Sequence, residues 1–367
     1  MILKKPIRIL QITCQLHSRD GVAVVLKNWH NNIDTSQIQF DYLIWWRRAD
    51  NDHMIEELSQ KGANIFILPD PQQYFFQFLK ESYCFFKTHH YCTIHSHITH
   101  LNFFFYPLAK WFGTKNIIQH AHSARWSEKK LSRFRNYLML HAVWPLITHK
   151  MACSHAAGKA YYGKDFMVVN NGINIEKFTY NPVIRKSKRR ELGLENDFII
   201  GHVGRFSAPK NHPFLLNVFE QVLQMKPNAK LLLVGSGPLR QQTEELVRAK
   251  NLQKHVVFLG GRTDVEQLYQ AFDCFVFPSL HEGLGIVAIE AQAAGLPCIL
   301  ADTLPQEAFI CNYKKMALGY AKEWAQAIVT CTEDFKRTDT SAQIKAAGFS
   351  AQAIAKQMQD FYLELKH

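Results

Sequence analysis

Two carboxylates, Glu282 and Glu290, lie eight positions apart in the run PSLHEGLGIVAIEAQAAGLPCIL. The preceding segment AFDCFVFPSL is apolar and ends in a Pro-Ser pair, which predicts a buried strand followed by a turn. Good helix formers begin at Ile286, and a Gly-Leu-Pro sequence predicts where that helix ends. The pattern therefore places one acid on a loop and the other inside the helix that follows.

Gly283, Leu284 and Gly285 separate the first acid from the helix, and the glycines let the backbone turn sharply and approach a ligand closely. A helix that starts here directs free N–H groups and the positive end of its dipole outward, which favours an anion such as a diphosphate. Glu290 would lie roughly 8 Å further along the helix axis than Glu282. The two acids are then placed to contact hydroxyl groups on opposite sides of a bound phosphate, as a nucleotide sugar presents them.

A second segment, DFIIGHVGRFSAPKNHPFLL, carries two cations, Arg205 and Lys210. Its apolar residues predict a buried strand at Phe198–Val203, with the cations on the loop that leads to a helix near Pro213. Open α/β sheets bind ligands at the carboxyl ends of their strands. The planar fork of Arg and the point charge of Lys suit a diphosphate. Either cation alone is better explained as an exposed loop residue, but the pair in this setting predicts an anion site.

The run EGLGIVAIEAQAAGLP resembles the E-x7-E signature of retaining, GT-B-fold glycosyltransferases of family GT4, especially the bacterial exopolysaccharide and capsule branch. In that family the first Glu contacts hydroxyls of the donor sugar and the second contacts the ribose. The resemblance implies those roles for Glu282 and Glu290. The family also carries an R-x4-K arrangement, which implies that Arg205 and Lys210 contact the diphosphate. The implied fold is α/β, with two doubly wound parallel-sheet, Rossmann-like domains and the active site in the cleft between them.

Two further segments, KLLLVGSGPLR and VVFLGGRTDVEQLYQAFD, each predict a strand, a Gly-rich turn and a helix. The first turn contains Gly235 and Gly237, and turn formation alone would explain this pair. The resemblance implies that both loops line the nucleotide, with backbone around residues 260–263 near the base. Arg262 is assigned to the base on the same grounds.

The N-terminal segment predicts a first strand at Ile7–Thr13, followed by a turn and an inward-facing helix. Family members usually carry two adjacent glycines and then an acidic residue in this turn. Here the turn is Asp20-Gly21-Val22, a departure that leaves ligand contacts from this loop open. Gly21 is either a phosphate-loop residue or a simple turn glycine.

Histidines cluster in IHSHITH, with His95, His97 and His100, and in IIQHAHSARW, with His120 and His122. We expect the histidines of each closely spaced pair to point to opposite faces of their strand and so to chelate a metal poorly, and no metal site is predicted. The resemblance aligns His122, at the end of a strand, with a histidine that faces the donor sugar. His120 is the alternative for that role.

The chain has 367 residues, more than one core usually serves, and strands alternate with helices in both halves. We predict a domain at 1–180, a second domain at 181–345 and a terminal helix at 346–367. The boundary is expected in TYNPVIRKSKRRELGLEND, whose basic run interrupts the apolar pattern. By resemblance the first domain binds the acceptor, the second binds the nucleotide sugar, and the terminal helix packs back onto the first domain.

The eight cysteines form no C-x2-C pair and lie mostly in apolar runs, so we interpret them as reduced core residues. The start MILKKPIRIL lacks the apolar segment and cleavage site of a signal peptide. No uninterrupted apolar run reaches the ~18 residues that span a membrane. These features predict a cytoplasmic protein.

The formal net charge is +12, and most of the excess lies before residue 180, together with aromatic runs such as YFFQFLK and LNFFFYPLAKWFG. Cations beside exposed aromatic rings suit an anionic lipid surface. Alternatively, the rings belong to the core and the cations are scattered. Nucleic-acid binding would require a module signature that the sequence lacks. The best membrane-facing candidates lie in RWSEKKLSRFRNYL: Trp126, Lys129, Lys130, Arg133 and Arg135.

Together the resemblance and these features imply a metal-independent, retaining enzyme that needs no cofactor. It would transfer a hexosyl or N-acetylhexosaminyl group from a nucleotide-diphosphate donor, expected to be a UDP-sugar, to a lipid-linked or cell-surface polysaccharide acceptor at the inner face of the plasma membrane. The alternative is a catalytically silent subunit of the same fold that stabilises or targets a partner transferase, which the altered Asp20-Gly21-Val22 loop favours. A nucleotide-sugar epimerase is not supported by the Glu pair.

Overall fold

The computed structural model describes residues 5–46, 53–124 and 130–366, with the side chain of Lys130 left out. The chain forms two compact units. Unit 1 comprises Met1–Ile173 together with Ser350–His367, and unit 2 comprises Asn174–Phe349. Each unit contains one parallel sheet whose strands alternate with helices along the chain. The predicted α/β class with two doubly wound sheets is confirmed.

The described residues of unit 1 contain seven strands. They are β1 (Ile7–Ile12), β2 (Ile38–Ile44), β3 (Ile65–Ile67), β4 (Thr93–Ser96), β5 (Asn116–Ala121), β6 (His149–Ala152) and β7 (Met167–Val168). The helices between them are α1 (Gly21–Asn32), α2 (Met54–Gln60), α3 (Phe75–Thr88), α4 (Asn102–Trp111), α5 (Lys130–Ala142) and α6 (His155–Tyr162). The strand order is β3-β2-β1-β4-β5-β6-β7, and the order reverses between β1 and β4. Such a reversal leaves a crevice beyond the carboxyl ends of the two strands.

Unit 2 has a six-stranded sheet of β8 (Phe198–Val203), β9 (Ala229–Val234), β10 (Val256–Gly260), β11 (Cys274–Phe277), β12 (Cys298–Ala301) and β13 (Tyr313–Met316). Its helices are α7 (Ile175–Phe178), α8 (Pro182–Leu192), α9 (His212–Met225), α10 (Arg240–Ala249), α11 (Val265–Ala271), α12 (Ile286–Ala293), α13 (Ala321–Thr332) and α14 (Ser341–Ala346). The strand order is β10-β9-β8-β11-β12-β13, so the reversal falls between β8 and β11.

The sheet of unit 2 is buried on both faces. Ile200, Leu231 and Val276 belong to one hydrophobic cluster, whereas their strand neighbours Ile199 and Phe275 belong to another. Alternating side chains thus enter two separate cores, as expected for a parallel sheet covered by helices on both sides.

The basic run that was predicted to mark the domain boundary is part of helix α8 in unit 2. Arg185 donates to the carbonyls of residues 270–272, Arg189 donates to the Ala271 carbonyl, and both pair with Asp273. Arg337 donates to carbonyls of the same segment. Because cations stabilise the negative end of a helix dipole, these arginines stabilise the end of α11. The interpretation as an inter-domain run was wrong, and the units divide earlier, after Ile173.

A terminal helix, α15 (Ala351–Glu364), returns to unit 1 and packs against α1, as the resemblance implied. The Asp34 amide donates to Gln359 Oε1 at 2.9 Å. Tyr362 is fully buried, and its hydroxyl lies 3.1 Å from Gln11 Nε2 and 2.6 Å from His95 Nδ1. The last helix therefore completes the core of unit 1.

None of the eight cysteines, all of which lie in the described residues, forms a disulfide bond. Cys153, Cys274 and Cys298 are buried, but Cys84 is exposed and the other four are partly exposed. The interpretation of the cysteines as core residues was therefore wrong for most of them. Cys84 and Cys331 lie on helices, where an apolar run includes positions that face solvent, and Cys14, Cys92 and Cys311 lie in loops.

Candidate functional site

The loops that follow β8 and β11 meet at the strand-order reversal of unit 2 and bring predicted site residues together. Lys210 Nζ lies 2.5 Å from Glu282 Oε1, and the two side chains are 15% and 14% exposed. The Ser279 hydroxyl lies 2.5 Å from the same carboxylate oxygen. A cation and an acid that are 72 residues apart thus form one partly buried ion pair.

Backbone contacts hold these two loops in register. The Leu280 amide donates to the Pro209 carbonyl at 2.7 Å, and the Ser279 hydroxyl lies 2.8 Å from the same carbonyl oxygen. Thr303 donates to the Ser279 carbonyl at 2.6 Å. Lys210 Nζ also lies 4.7 Å from the centroid of the Phe277 ring, within the range of a cation–π contact. The ammonium group is therefore fixed before any ligand arrives.

Arg205, on the same loop as Lys210, is exposed. Its guanidinium has no ion-pair partner among the residues that the structure describes. Because an arginine cannot lose its charge near neutral pH, this fork of donors is available to an anionic ligand.

Two histidines, His202 and His212, lie buried beneath this loop with ring centroids 5.0 Å apart. His202 Nδ1 lies 2.9 Å from the Val276 carbonyl. Burial lowers the pKa of His212 to about 4 and that of His202 well below its ordinary value, and the nearby Lys210 charge lowers both further. Both rings are therefore neutral at pH 7. Neither histidine was predicted as a site residue, although both flank the Arg-Lys loop in GHVGRFSAPKNH.

Helix α12 begins directly after Gly285, whose φ of +81° is a conformation that favours glycine. No side chain caps this helix, so its first backbone N–H groups remain for a ligand. Leu284 is buried, so only its backbone can contribute to the site. The predicted trio Gly283, Leu284 and Gly285 thus connects Glu282 to the start of an uncapped helix.

Glu290 lies inside α12 and is half-buried. The Tyr269 hydroxyl donates to its Oε2 at 3.0 Å, and burial raises the pKa of the carboxyl group to about 7. Tyr269, on helix α11, was not predicted as a site residue. The available signal was that a buried tyrosine needs a partner for its hydroxyl.

Gly235 and Gly237 are required by packing. Their φ angles are +145° and +156°, and a Cβ would lie 2.0 Å from the Gly204 carbonyl oxygen at the first position and 2.4 Å from that of Phe206 at the second. The loop after β9 therefore rests directly on the loop after β8. Contact of these glycines with a nucleotide stays a prediction.

Arg262 is held by an acid within the protein. Its Nε and one terminal nitrogen each lie 2.7 Å from Asp264, which also accepts from Lys188 at 2.9 Å. The two cations hold the pKa of Asp264 well below its ordinary value. Contact between Arg262 and a nucleotide base stays a prediction.

Gly21 in unit 1 is the exposed first residue of α1, and a Cβ there would meet no atom within 4 Å. The Asp20 carboxylate caps this helix by accepting from the Ala23 amide at 2.9 Å. A larger residue would therefore fit at position 21 without strain. Contact of Gly21 with a phosphate stays a prediction.

Four histidines of unit 1 form two pairs of stacked rings, with centroids 4.4 Å apart for His95 and His97 and 4.2 Å apart for His120 and His122. The expectation that each pair would point to opposite faces was wrong, since residues two apart along a strand share a face. His95 Nε2 lies 3.2 Å from His120 Nδ1, and His97 Nδ1 lies 2.8 Å from His122 Nε2. Gln11 and Tyr362 extend this network.

Burial lowers the pKa of all four histidines, that of His122 to about 4. Ring nitrogens of His95, His97 and His120 lie within 4.8 Å of one another, close enough to be considered as metal ligands. These three rings already make hydrogen bonds, His95 with His120 and Tyr362, and His97 with His122 and Gln11, and an ion would have to replace those bonds. The absence of a metal stays a prediction. His120 is buried within β5, whereas His122 follows the strand and is half-buried. Contact of His122 with a donor sugar also stays a prediction.

Comparison with known proteins identifies the class to which this fold and site belong. Residues 184–348 match the family of glycosyl transferases group 1. A putative glycosyltransferase, EpsF, from Bacillus subtilis (strain 168) is 31% identical over 82% of this chain and 80% of its own length. The chain therefore belongs to the group 1 glycosyl transferases, which are enzymes that transfer sugars.

Two further similarities extend over most of the chain. The Escherichia coli UDP-Gal:alpha-D-GlcNAc-diphosphoundecaprenol alpha-1,3-galactosyltransferase is 26% identical over 76% of this chain and 77% of its own length. The crystal structure of Anabaena HepE in complex with UDP and glucose superposes with a TM-score of 0.80 and 20% identity, covering 98% of this chain and 100% of that one. The fold is thus GT-B.

Proposed function

We propose that this protein is a retaining glycosyltransferase of family GT4 that transfers a hexosyl or N-acetylhexosaminyl group from a UDP-sugar to a lipid-linked glycan in exopolysaccharide or capsule synthesis. The Lys210–Glu282 pair beside the uncapped start of α12 carries the proposal. The UDP in the HepE complex supports the donor. The name of the E. coli relative, with its UDP-galactose donor and diphosphoundecaprenol acceptor, supports both substrates.

Cleavage of the anomeric bond builds positive charge on the sugar and negative charge on the leaving phosphate. Lys210, Arg205 and the N–H groups at the start of α12 stabilise the leaving charge, because donors fixed in advance need no reorganisation during the reaction. When the diphosphate binds, the Lys210 ammonium group interacts with both the phosphate and the Glu282 carboxylate. The Glu282 carboxylate can then accept hydrogen bonds from hydroxyls of the sugar.

Glu290 is suited to the ribose hydroxyls. Tyr269 occupies one oxygen of its carboxylate, so the other remains for the ligand. Because burial disfavours the charged carboxylate, ribose hydroxyls that donate to it compensate for lost hydration. Binding of the nucleotide should therefore lower the pKa of Glu290 from about 7.

Retention is proposed to follow the same-face course of the family, in which the leaving phosphate helps to deprotonate the acceptor hydroxyl. Neither a covalent nucleophile nor a divalent ion is assigned. The cations Arg205 and Lys210 take the place that a metal ion would have at the diphosphate.

Among the residues that the structure describes, no helix combines the length and apolar character needed to cross a bilayer. We propose peripheral attachment to an anionic membrane through helix α5. Leu131 and Phe134 on α5 are 82% and 62% exposed, and Arg133 and Arg135 are exposed beside them. The other predicted contacts, Trp126 and Lys129, lie outside the described residues, and so does the side chain of Lys130.

The decisive experiment measures UDP release when the purified chain is incubated with single UDP-sugars and no acceptor. We expect slow hydrolysis of one donor, and loss of that hydrolysis in Glu282→Gln. The chain would instead be a silent subunit if it hydrolysed no UDP-, GDP- or dTDP-sugar and if none of these sugars stabilised it against unfolding.

A further inference from the structure

Unit 1 contains an open cavity of about 640 Å³ that no step of the donor reaction uses. Its walls come from the segments that follow β1, β2, β3 and β4 and from helices α3, α4 and α5. The cavity therefore lies at the strand-order reversal of the unit 1 sheet, where open α/β sheets bind ligands. Its volume is within the roughly 300–1,000 Å³ of small-molecule sites.

The lining is mainly aromatic and aliphatic and is held in place. Trp45 is 7% exposed, whereas Trp46 and Phe75 are 41% and 42% exposed. The Trp46 indole donates to Asp70 at 3.0 Å, and its backbone amide donates to the Cys14 carbonyl at 2.9 Å. Large apolar side chains that stay partly exposed on a rigid frame mark a binding surface.

The polar groups around the cavity favour an anion. Arg135 on α5 lies at the cavity, with its guanidinium 3.0 Å from Asn136 Oδ1. Among the described residues that line the cavity, none is acidic. The nearby Asp70 carboxylate already accepts from the Trp46 indole and the Gln72 amide. An apolar cavity with one arginine matches a hydrocarbon chain that ends in phosphate.

We infer that this cavity binds the lipid end of the acceptor, with the first hydrocarbon units of the carrier against Trp46 and Phe75 and its phosphate paired with Arg135. The inference rests on the proposed lipid-linked acceptor and names the residues that recognise its lipid. The cavity holds only a short segment of the carrier's hydrocarbon chain, and the rest of the carrier stays in the membrane.

Isothermal titration of the full chain with farnesyl diphosphate tests this inference. Saturating UDP keeps the diphosphate away from Lys210 and Arg205, and concentrations below micelle formation keep the probe monomeric. Each buried CH₂ contributes about 0.8 kcal/mol, or about fourfold in affinity. We expect farnesyl diphosphate to bind at least tenfold more tightly than geranyl diphosphate, and inorganic pyrophosphate not to compete.

Matched variants locate the bound probe. Arg135→Glu and Phe75→Ser should each weaken farnesyl diphosphate binding at least tenfold. Their controls are Arg133→Glu on the same helix and Phe76→Ser, a neighbour that is 84% exposed; neither residue lines the cavity, and both variants should keep wild-type affinity. Melting temperatures of all four variants establish that they are folded.

Equal loss in Arg135→Glu and Arg133→Glu would mean that the probe binds the helix surface by charge alone and would overturn the inference. Affinity that is independent of chain length, or competition by pyrophosphate, would also overturn it. Donor hydrolysis is measured on the wild-type chain separately. Hydrolysis without farnesyl diphosphate binding rejects only the cavity, whereas absent hydrolysis rejects the proposed enzyme whatever the titration shows.

Discussion

The Lys210–Glu282 ion pair makes the two cations of the unit 2 crevice unequal. Both partners are only about 15% exposed, so removal of one leaves the other charge partly buried and unpaired. Arg205 is exposed, and its removal leaves no buried acid without an ion-pair partner among the described residues. The same loss of positive charge should therefore affect stability differently at the two positions.

Lys210→Ala and Arg205→Ala should each slow sugar transfer by roughly 10²–10³, because each removes a cation that is proposed to stabilise the developing anion. Only Lys210→Ala should also lower the melting temperature. Steady-state kinetics and thermal unfolding measure the two effects. Lys226→Ala, a cation just before the amino end of β9, is the matched control, and wild-type rates in both test variants would remove the diphosphate assignment.

Glu290→Gln should stabilise the ligand-free protein in alkaline solution. The folded pKa of about 7 lies above the ordinary 4.5, so the contribution of Glu290 to stability is fully present below pH 4.5 and is lost as the pH rises through 7. Allowing for partial exposure, the variant should gain about 1–3 kcal/mol at pH 8.5 and little at pH 4.5.

Urea unfolding at the two pH values measures this difference, with the exposed Glu245→Gln as the control. The KM for the donor should rise in Glu290→Gln, since the charged acceptor for the ribose is lost. An equal change in stability at both pH values would exclude burial of the carboxyl group as the cause.

The sequence predicted the acid and cation of the crevice because each follows a buried strand, and neighbouring parallel strands end at the same edge. It did not predict His202, His212 or Tyr269 as part of this site. Their neutral or hydrogen-bonded state depends on which helices cover the sheet, and local pattern does not specify that. The error over His95 and His97 had another origin, the assignment of strand faces.

At the scale of elements, the loop after β9 and the loop after β8 behave as one structure because glycine permits their contact. Gly235→Ala should lower the free energy of unfolding by more than about 2 kcal/mol, since a Cβ would lie 2.0 Å from the Gly204 carbonyl oxygen in a conformation that L residues rarely adopt. Gly21→Ala, in open space at the start of α1, should leave stability unchanged or raised by about 0.5 kcal/mol.

Urea denaturation of the two variants measures the contrast. Equal stability would show that the β9 loop can move away from β8 at little cost. Donor binding by Gly235→Ala should weaken as well, because the displaced Gly204 backbone precedes Arg205.

Most strands and the helices that follow them could be predicted from periodicity and turn residues, as at Phe198–Val203, where prediction and structure agree. The basic run 185–190 could not. Considered alone, a run of basic residues is typical of a solvent-exposed linker between domains. In the fold, its arginines donate hydrogen bonds to carbonyls at the end of α11, which lies far away in sequence.

For the whole enzyme, activity should be undiminished in EDTA. In the proposed mechanism, Arg205, Lys210 and the start of α12 supply the positive charge that a divalent ion would otherwise bring to the diphosphate. The measurement is donor hydrolysis after dialysis against chelator, with and without added Mg²⁺ or Mn²⁺. A strict requirement for either ion would contradict the argument.

The full chain should co-sediment with anionic vesicles at low ionic strength, detach as salt is added, and ignore neutral vesicles. Each cation near an anionic surface contributes about 1 kcal/mol, and salt screens that attraction within about 8–10 Å. Replacing Lys129, Lys130, Arg133 and Arg135 together by Glu should abolish sedimentation. Glu substitutions at Lys322 and Lys345, which belong to unit 2, serve as the control. Salt-independent binding would exclude an electrostatic mechanism.

The return of α15 to unit 1 has a consequence during translation. All of unit 2, residues 174–349, is synthesised before the helix that completes unit 1, in which Tyr362 contacts Gln11 and His95. The nascent chain therefore finishes its second unit before its first. A chain truncated before residue 350 would lack α15 and would leave the α1 face that this helix covers exposed.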